Sequence, residues 1–419
     1  MHYIRLLRPA RLCHDLSGRR RPFVSLLVTI TTDLGDSFLY PDEPVDLIVV
    51  VEYGVSVDTT VAAAAETPPP TRWAAGMRVL DLKVPLKPHV KREDVTCTIF
   101  IYSATALQSD QSPPRGGAAS LGSEYVLPWR VPSGGSSSAR RGLIMPATVE
   151  MVAGTCSPVS VRRLRLNTTG AQTGGGLQDV YVHLEEDIGE SIARHVWDAG
   201  VVTACFLADA CRTAEDARAV LPITRDDFNV LELGCGVGIL GLTIASILDR
   251  AAAAQDQTLR GATVLLTDLA EAEERARSNI SKVTPPLSRG LSKVVVATAY
   301  ENLDWDEGRH GRFGPLVSAR RWDLVVLSDC TYNVDSLPAL VGTLTALHVS
   351  NAQHQRLETT EGDAKTTVML ATKPRHSSEK ALFGLLEADG WRYSVLKSIP
   401  LPKLGEEDER VDVYLLEKG

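Results

Sequence analysis

The clearest chemistry in this sequence lies in one glycine-rich stretch, Val230-Leu-Glu232-Leu-Gly234-Cys-Gly236-Val-Gly238-Ile-Leu-Gly241. Glycines let a chain turn sharply and bring its backbone against a ligand. The free N–H groups of a helix that starts there favour an electronegative ligand group. Gly236-x-Gly238-x-x-Gly241 also satisfies the dinucleotide-binding pattern, so the loop alone points to a nucleotide-like ligand and not to a reaction. Thr267-Asp268-Leu269 closes the next apolar run. There Asp268 can accept hydrogen bonds from both hydroxyls of a ribose, or cap the helix that follows. Leu327-Ser328-Asp329-Cys330-Thr331-Tyr332 ends a later run. An acid and an aromatic three residues apart can hold an amine and stack on it; alternatively Asp329 caps the next helix from a strand-end turn. Trp305, in Leu303-Asp304-Trp305-Asp306, can wall a purine or pack at a sheet edge.

These residues need a frame that brings them to one edge. From about Gln178, helical and strand signals alternate, which implies an α/β domain with a mostly parallel sheet. The strands read as Phe228–Leu233, Thr263–Asp268, Lys293–Thr298, Trp322–Ser328 and Thr366–Ala371, with helices at Ile239–Ala254, Ala270–Ser281, Leu337–His348 and Glu379–Asp389. Gly390 suits a helix C-cap, where the left-handed conformation is needed. The last strands, Arg392–Lys397 and Val411–Leu416, have only the short polar link Ser398–Arg410 between them, so they are expected to run antiparallel. In open α/β sheets ligands bind at the carboxyl ends of the strands. That rule gathers Gly234–Gly238, Asp268 and Asp329 at one place.

The region before this is different. Phe23–Thr31, Val45–Tyr53, Met77–Leu86 and Val95–Ser103 are β-rich runs separated by the turn residues Asp42–Pro44, Pro68–Pro70 and Lys87–Pro88, and a small antiparallel sheet is expected from them. Ser109–Ser123, Ser133–Arg141 and Thr168–Gly176 are rich in Ser, Gly, Pro and Ala and read as flexible loops. The division expected is a β-rich region over 1–176 and an α/β domain over 177–419.

Composition narrows the classes. Of the 419 residues 44% are apolar and 23% charged, enough for packed cores. The net charge of −8 gives no general attraction to phosphate backbones, so direct nucleic-acid binding is not expected. Arg5, Arg8, Arg11, Arg19, Arg20 and Arg21 face only Asp15, and are read as a solvated, partly disordered end in preference to a mitochondrial presequence. Seven cysteines at irregular spacing, without a Cys-x-x-Cys, argue against a disulfide framework or zinc site, and no metal is expected. Reduced thiols suit the cytoplasm or nucleus. No transmembrane helix and no secretory signal are expected. A monomer is expected.

Taken together these motifs resemble the seven-β-strand protein-lysine methyltransferases of methyltransferase family 16, over roughly Val180 to Gly419. Glu-x-Gly-x-Gly-x-Gly is typical of methyltransferases, whose ligand has no pyrophosphate for the loop to hold. The resemblance includes an upstream segment with Gly189, Val196-Trp197-Asp198-Ala199-Gly200 and Leu207, the Leu-x-Trp of Trp305, and the Asp-x-x-Tyr of Asp329 to Tyr332. It implies an α/β fold, a seven-strand Rossmann-like methyltransferase sheet with an additional β-rich N-terminal domain, and S-adenosyl-L-methionine as cofactor. Gly234, Gly236 and Gly238 would line the methionine end of that cofactor and Glu232 would brace the loop. Asp268 would hold the ribose, Leu269 and Trp305 the adenine, and Trp197 and Ser328 would close the pocket. Asp329 and Tyr332 would face a substrate lysine. The implied partner is a protein, such as a cytosolic translation elongation factor, since fungal members largely modify translation factors. The helix from Gly189, the apparent insertion Ala251–Arg260 and the polar tract Gln353–Lys365 depart from compact members of the family.

Methyl transfer from a sulfonium is an in-line displacement, so the protein must supply alignment and a neutral amine. A carboxylate alone would raise a lysine pKa, and Asp329 is therefore assigned positioning while Tyr332 walls the channel. A nucleic-acid amino-methyltransferase would carry prolines at Cys330 and Thr331. A small-molecule methyltransferase would share the cofactor half. An NAD-dependent oxidoreductase would leave Glu232 and the Asp329 motif unexplained, and a non-catalytic binding module or chaperone would not need the site residues intact.

Overall fold

The computed structural model describes residues 1–14, 22–53, 65–66, 71–87, 95–104, 121–130, 144–166, 180–189, 192–223, 226–253, 259–283, 295–357, 365–402 and 409–419. The Pro68–Pro70 turn, nearly all of the three Ser/Gly/Pro-rich stretches, and the middle parts of Ala251–Arg260 and Gln353–Lys365 lie outside these residues. The chain forms two compact units, one chiefly Met1–Arg165 with His183–His195, the other chiefly Val196–Leu401 with Asp408–Gly419.

The first unit holds two sheets, where one was expected. Pro22–Thr32 pairs with His2–Leu6, Arg11–His14 and Leu80–Pro85 in one sheet. Val45–Tyr53 pairs with Cys97–Ser103 in the other. Alternate residues of both sheets, among them Ile4, Leu26, Val28, Val49, Val51, Ile99 and Ile101, close one buried core. The four apolar runs thus divide between two layers, because alternation gives each strand one apolar face that a second sheet must cover. The N-terminus also departs from expectation. His2–Leu6 is a strand with Tyr3 and Ile4 fully buried, and Arg5 donates to the carbonyl of Asp33 at 2.8 Å. Its apolar residues outweigh the nearby arginines; Arg19, Arg20 and Arg21 lie outside the described residues.

The second unit contains the seven-strand sheet. Its strands are β1 (Asp227–Leu233), β2 (Gly261–Asp268), β3 (Val295–Asn302), β4 (Leu324–Ser328), β5 (Thr366–Thr372), β6 (Arg392–Pro400) and β7 (Arg410–Lys418). They lie in the order β3-β2-β1-β4-β5-β7-β6. β1 to β5 are parallel, and β7 runs antiparallel to both β5 and β6. The helices are α1 (Asp198–Ala210), α2 (Ala214–Val220), α3 (Ile239–Ala253), α4 (Ala270–Lys282), the single turns α5 (Trp305–Gly308) and α6 (Pro315–Ser318), α7 (Leu337–Leu357) and α8 (Ala381–Ala388). β3 runs four residues past its expected end and α7 nine, while Ser377–Lys380 forms a 3-10 turn before α8. The central strands are buried on both faces, with Val230, Leu231, Val264 and Leu324 at 0% exposure, as a sheet sandwiched by helices requires.

One buried side chain ties α7 to the sheet. Asn351 accepts from the Trp322 N–H at 2.9 Å and donates to the Trp322 carbonyl at 3.0 Å and Thr366 Oγ1 at 3.1 Å. It thereby sets where β4 begins. Asn351→Leu leaves the Trp322 backbone groups buried without these partners and should cost about 2–4 kcal/mol, read as a lower urea midpoint at unchanged slope. A midpoint equal to wild type would show that the tie is dispensable.

Candidate active site

β1 ends at Leu233 and the chain turns through Gly234, Gly236 and Gly238, all with positive φ (61°, 53° and 85°). A side chain is excluded at Gly234 for a second reason. A Cβ there would lie 2.6 Å from Cys330 Sγ and 3.3 Å from Trp305 Cζ2. The turn after β1 therefore touches both the end of β4 and the start of α5. At Gly238 a Cβ would meet Leu266 of β2 at 2.5 Å.

Two carboxylates hold this loop from below and from the side. Glu232 is buried, and its Oε2 accepts from the Gly241 N–H at 3.0 Å in the first turn of α3. Burial pushes its carboxyl up to about 8, against the pull of that hydrogen bond. Asp268 accepts from the Gly236 N–H at 2.7 Å through Oδ2 and from the Leu269 N–H at 2.7 Å through Oδ1. Burial raises the Asp268 pKa, and these two bonds work in the other direction. Asp268 does not cap α4, whose N-cap is Leu269. Beside it, Leu269, Asn302, Leu303, Asp304 and Phe313 line a hollow at the ends of β2 and β3. Leu269 is half exposed there. Trp305 is not among these lining residues; its ring reaches over Gly234 and packs on the core of the sheet.

The end of β4 is tightly held. Asp329 has a φ of +52°, a conformation unusual for any residue but glycine, though asparagine and aspartate tolerate it best. Its side chain is buried. Oδ2 accepts from the Ala199 N–H at 2.7 Å, and Oδ1 accepts from Arg375 at 2.6 Å. Asp329 thus meets the N-terminus of α1, 130 residues earlier, where Trp197 at the N-cap makes no side-chain cap of its own. The helix after β4 is served instead by Asn333, which accepts from the Asp335 N–H. Gly200 lets α1 pass close by: a Cβ there would lie 2.7 Å from Ile239 and 3.4 Å from Ser328 Oγ. Tyr332 is about half exposed next to this turn, and burial together with the Cys330, Asp268 and Glu271 charges raises its pKa.

The expected residues accordingly gather at the carboxyl edge of the sheet. Glu232 and Asp268 bond the loop backbone, Cys330 joins the Asp329–Tyr332 turn to Gly234, and Ser328 faces α1. Two cations that sequence reasoning missed lie among them, in Lys373-Pro-Arg375-His376 after β5. Lys373 Nζ is 2.8 Å from Asp198 and 2.8 Å from Glu409. Arg375 pairs with Asp329, and its guanidinium lies 5.4 Å from the centre of the Trp197 ring. Basic residues directly after a parallel strand, on the ligand edge, were the available signal.

The profile of the lysine methyltransferase family matches residues 177–389. The chain belongs to that family. Its α/β unit is a methyltransferase domain, and S-adenosylmethionine is the cofactor. The residues present fit such a group. The glycine loop lets a ligand approach its backbone closely, a carboxylate that can accept from sugar hydroxyls stands at the end of β2, and a hollow with the apolar Leu269 and Phe313 lies beside it. A UPF0665 family protein of Schizosaccharomyces pombe is 30% identical over 234 residues, which is 56% of this chain and 55% of the relative. The chain thus spans about half the length of that relative. Solved structures similar to the domain include TYW2 of Pyrococcus horikoshii in complex with MeSAdo, with 14% identity, a TM-score of 0.30 and coverage of 64% of this chain and 74% of that one. A SAM-dependent methyltransferase of Methanosarcina mazei matches with 13% identity, a TM-score of 0.29, and 48% and 96% coverage.

Two outcomes follow for this methyltransferase domain. Gly234→Ala puts a methyl group against Cys330 in a strained conformation; calorimetry should show cofactor affinity reduced at least tenfold, and unchanged affinity would remove the loop from the site. The second concerns Glu232, whose carboxyl sits at about 8 when folded against an ordinary 4.5. The folded state holds its proton more tightly, so this contribution to stability is complete below about pH 4.5 and lost as pH rises through about 8. Relative to Glu232→Gln, the wild type should lose roughly 1.4 kcal/mol per pH unit across that window. Urea unfolding at several pH values reads this; parallel curves would mean that Glu232 ionises normally.

Proposed function

We propose that this chain is an S-adenosylmethionine-dependent protein-lysine N-methyltransferase acting in the cytosol, as a monomer, on a protein such as a translation elongation factor. Residues 177–419 are the catalytic domain in this reading, and 1–176 an accessory β-rich region. The observation that carries it is the contact of Cys330 with the glycine loop: Cys330 Sγ lies 3.6 Å from the Gly234 carbonyl. The Asp329–Tyr332 turn and the cofactor loop are thereby neighbours. Family membership supports the choice of lysine, and a net charge of −8 argues against a polyanionic substrate.

The bound cofactor supplies an electrophilic methyl group on a sulfonium. The chain has to hold the cofactor, orient the amine and keep water from competing. The glycine loop and Asp268 bind the first, with Glu232 fixing the loop. In this reading Asp329 and Ser328 stand at the end of β4 beside the approach of the amine, Asp329 with its carboxylate held by the Ala199 N–H and Arg375, and the half-exposed Tyr332 offers an aromatic wall at the mouth. Alignment of this kind is the main source of rate when the leaving group is already good.

Tritiated methyl donor and purified chain, added to a cell extract, should label a protein band that protease removes and RNase leaves; label that survives protease and is lost to RNase would overturn the lysine reading. Asp329→Asn keeps an acceptor for the Ala199 N–H. It should lower transfer at least a hundredfold while calorimetry shows cofactor affinity within a few-fold of wild type. Full activity in this variant would remove Asp329 from the substrate side.

A further inference from the structure

Asp329 poses an electrostatic problem. A lone carboxylate beside the substrate amine stabilises the ammonium, and an ammonium has no lone pair with which to attack. Among the described residues, the groups around Asp329 come from five places. From the segment after β5 come Arg375, at 2.6 Å from Oδ1, and Lys373, whose backbone N–H lies 3.4 Å from the same oxygen. From α1 comes Asp198 and from the residues before β7 comes Glu409, both on the Lys373 ammonium at 2.8 Å. From the 3-10 turn before α8 comes Glu379, which accepts from Thr331 Oγ1 and from the Arg375 and His376 N–H groups. Cys330 and Tyr332 adjoin Asp329 on its own segment. Lys373 is thus engaged by two acids, and the guanidinium set against Asp329 is that of Arg375. Its side chain and that of Asp329 are 12% and 3% exposed, so water screens the pair little. The Trp197 ring beneath the guanidinium holds it in place.

We propose that Arg375 is a positioning residue for methyl transfer, making the Asp329 carboxylate part of a neutral pair that aligns the substrate amine without trapping it as the ammonium. The inference rests on the lysine reading above. In the step itself the amine lone pair forms the new C–N bond as the S–CH3 bond breaks and its electron pair returns to sulfur. The methylated ammonium formed gives a proton to solvent. The amine must therefore have lost one proton before attack, and Arg375 favours that state through its charge. Lysine at 375 keeps the charge; glutamine and methionine remove it, and methionine keeps an apolar stem over Trp197.

The test is the pH profile of the methyl-transfer rate at saturating cofactor, with the protein that is labelled in the cell extract as substrate, for wild type, Arg375→Lys, Arg375→Gln and Arg375→Met, with thermal unfolding and cofactor calorimetry on each. Losing the guanidinium should move the acid limb up by about one to two pH units. The neutral variants should then be at least tenfold slower near pH 7 and approach wild type above pH 9.5. Arg375→Lys should restore most of the limb, and cofactor affinity should stay within a few-fold throughout. A rate reduced by one factor at every pH, or a limb that does not move, overturns the inference and leaves the lysine reading standing. Loss of the fold in both neutral variants also overturns it, because the cation would then be structural. A wild type that labels no lysine ends the lysine reading and this inference with it.

Discussion

The close approach of β1 to the end of β4 governs this domain. Gly234 has no room for a side chain because Cys330 and Trp305 already occupy the space. Three segments far apart in sequence therefore converge on one backbone atom, the Cα of Gly234. Parallel strands make this possible: their carboxyl ends all emerge on the same edge, and adjacent strands lie only about 5 Å apart. The order of the sheet puts β1 between β2 and β4, so the glycine loop has Asp268 on one side and Asp329 on the other.

The second constraint is charge. Glu232, Asp268 and Asp329 are three carboxylates, all buried or nearly so, around one loop. Each is kept there by hydrogen bonds from backbone N–H groups, and Asp329 also by an ion pair. Buried charges of one sign are costly unless paired. Glu232 meets that cost by holding its proton up to about 8, and Asp329 meets it with Arg375.

The N-terminal unit shows where strand reading falls short. Each of the four apolar runs expected there is found within or near a strand, yet they belong to two sheets packed on a shared core. Alternation specifies that a strand has an apolar face; it is silent on which strand lies beside it and which lies across from it. His2–Leu6 was hidden for another reason. The arginines around it suggested a solvated end, but Tyr3, Ile4 and Leu6 of this five-residue strand are buried while Arg5 keeps its polar end bonded to the Asp33 carbonyl.

The seven-strand sheet and the cofactor loop were legible in the amino-acid order because they depend on local signals. Glycines at positive φ, apolar strands, and acids at strand ends all declare themselves within a few residues. Asp329 shows the limit. Its motif was evident, and capping of the next helix was weighed for it, but the N–H it accepts belongs to a helix 130 residues earlier. Lys373 and Arg375 escaped notice for the same reason. A cation's partner is chosen by which strands lie side by side, and Asp198, Asp329 and Glu409 come together around the segment after β5 only once the sheet has formed. Local sequence determines which groups can do chemistry; the folded sheet decides which of them neutralise one another, since electrostatic pairing depends on distance in space and not along the chain.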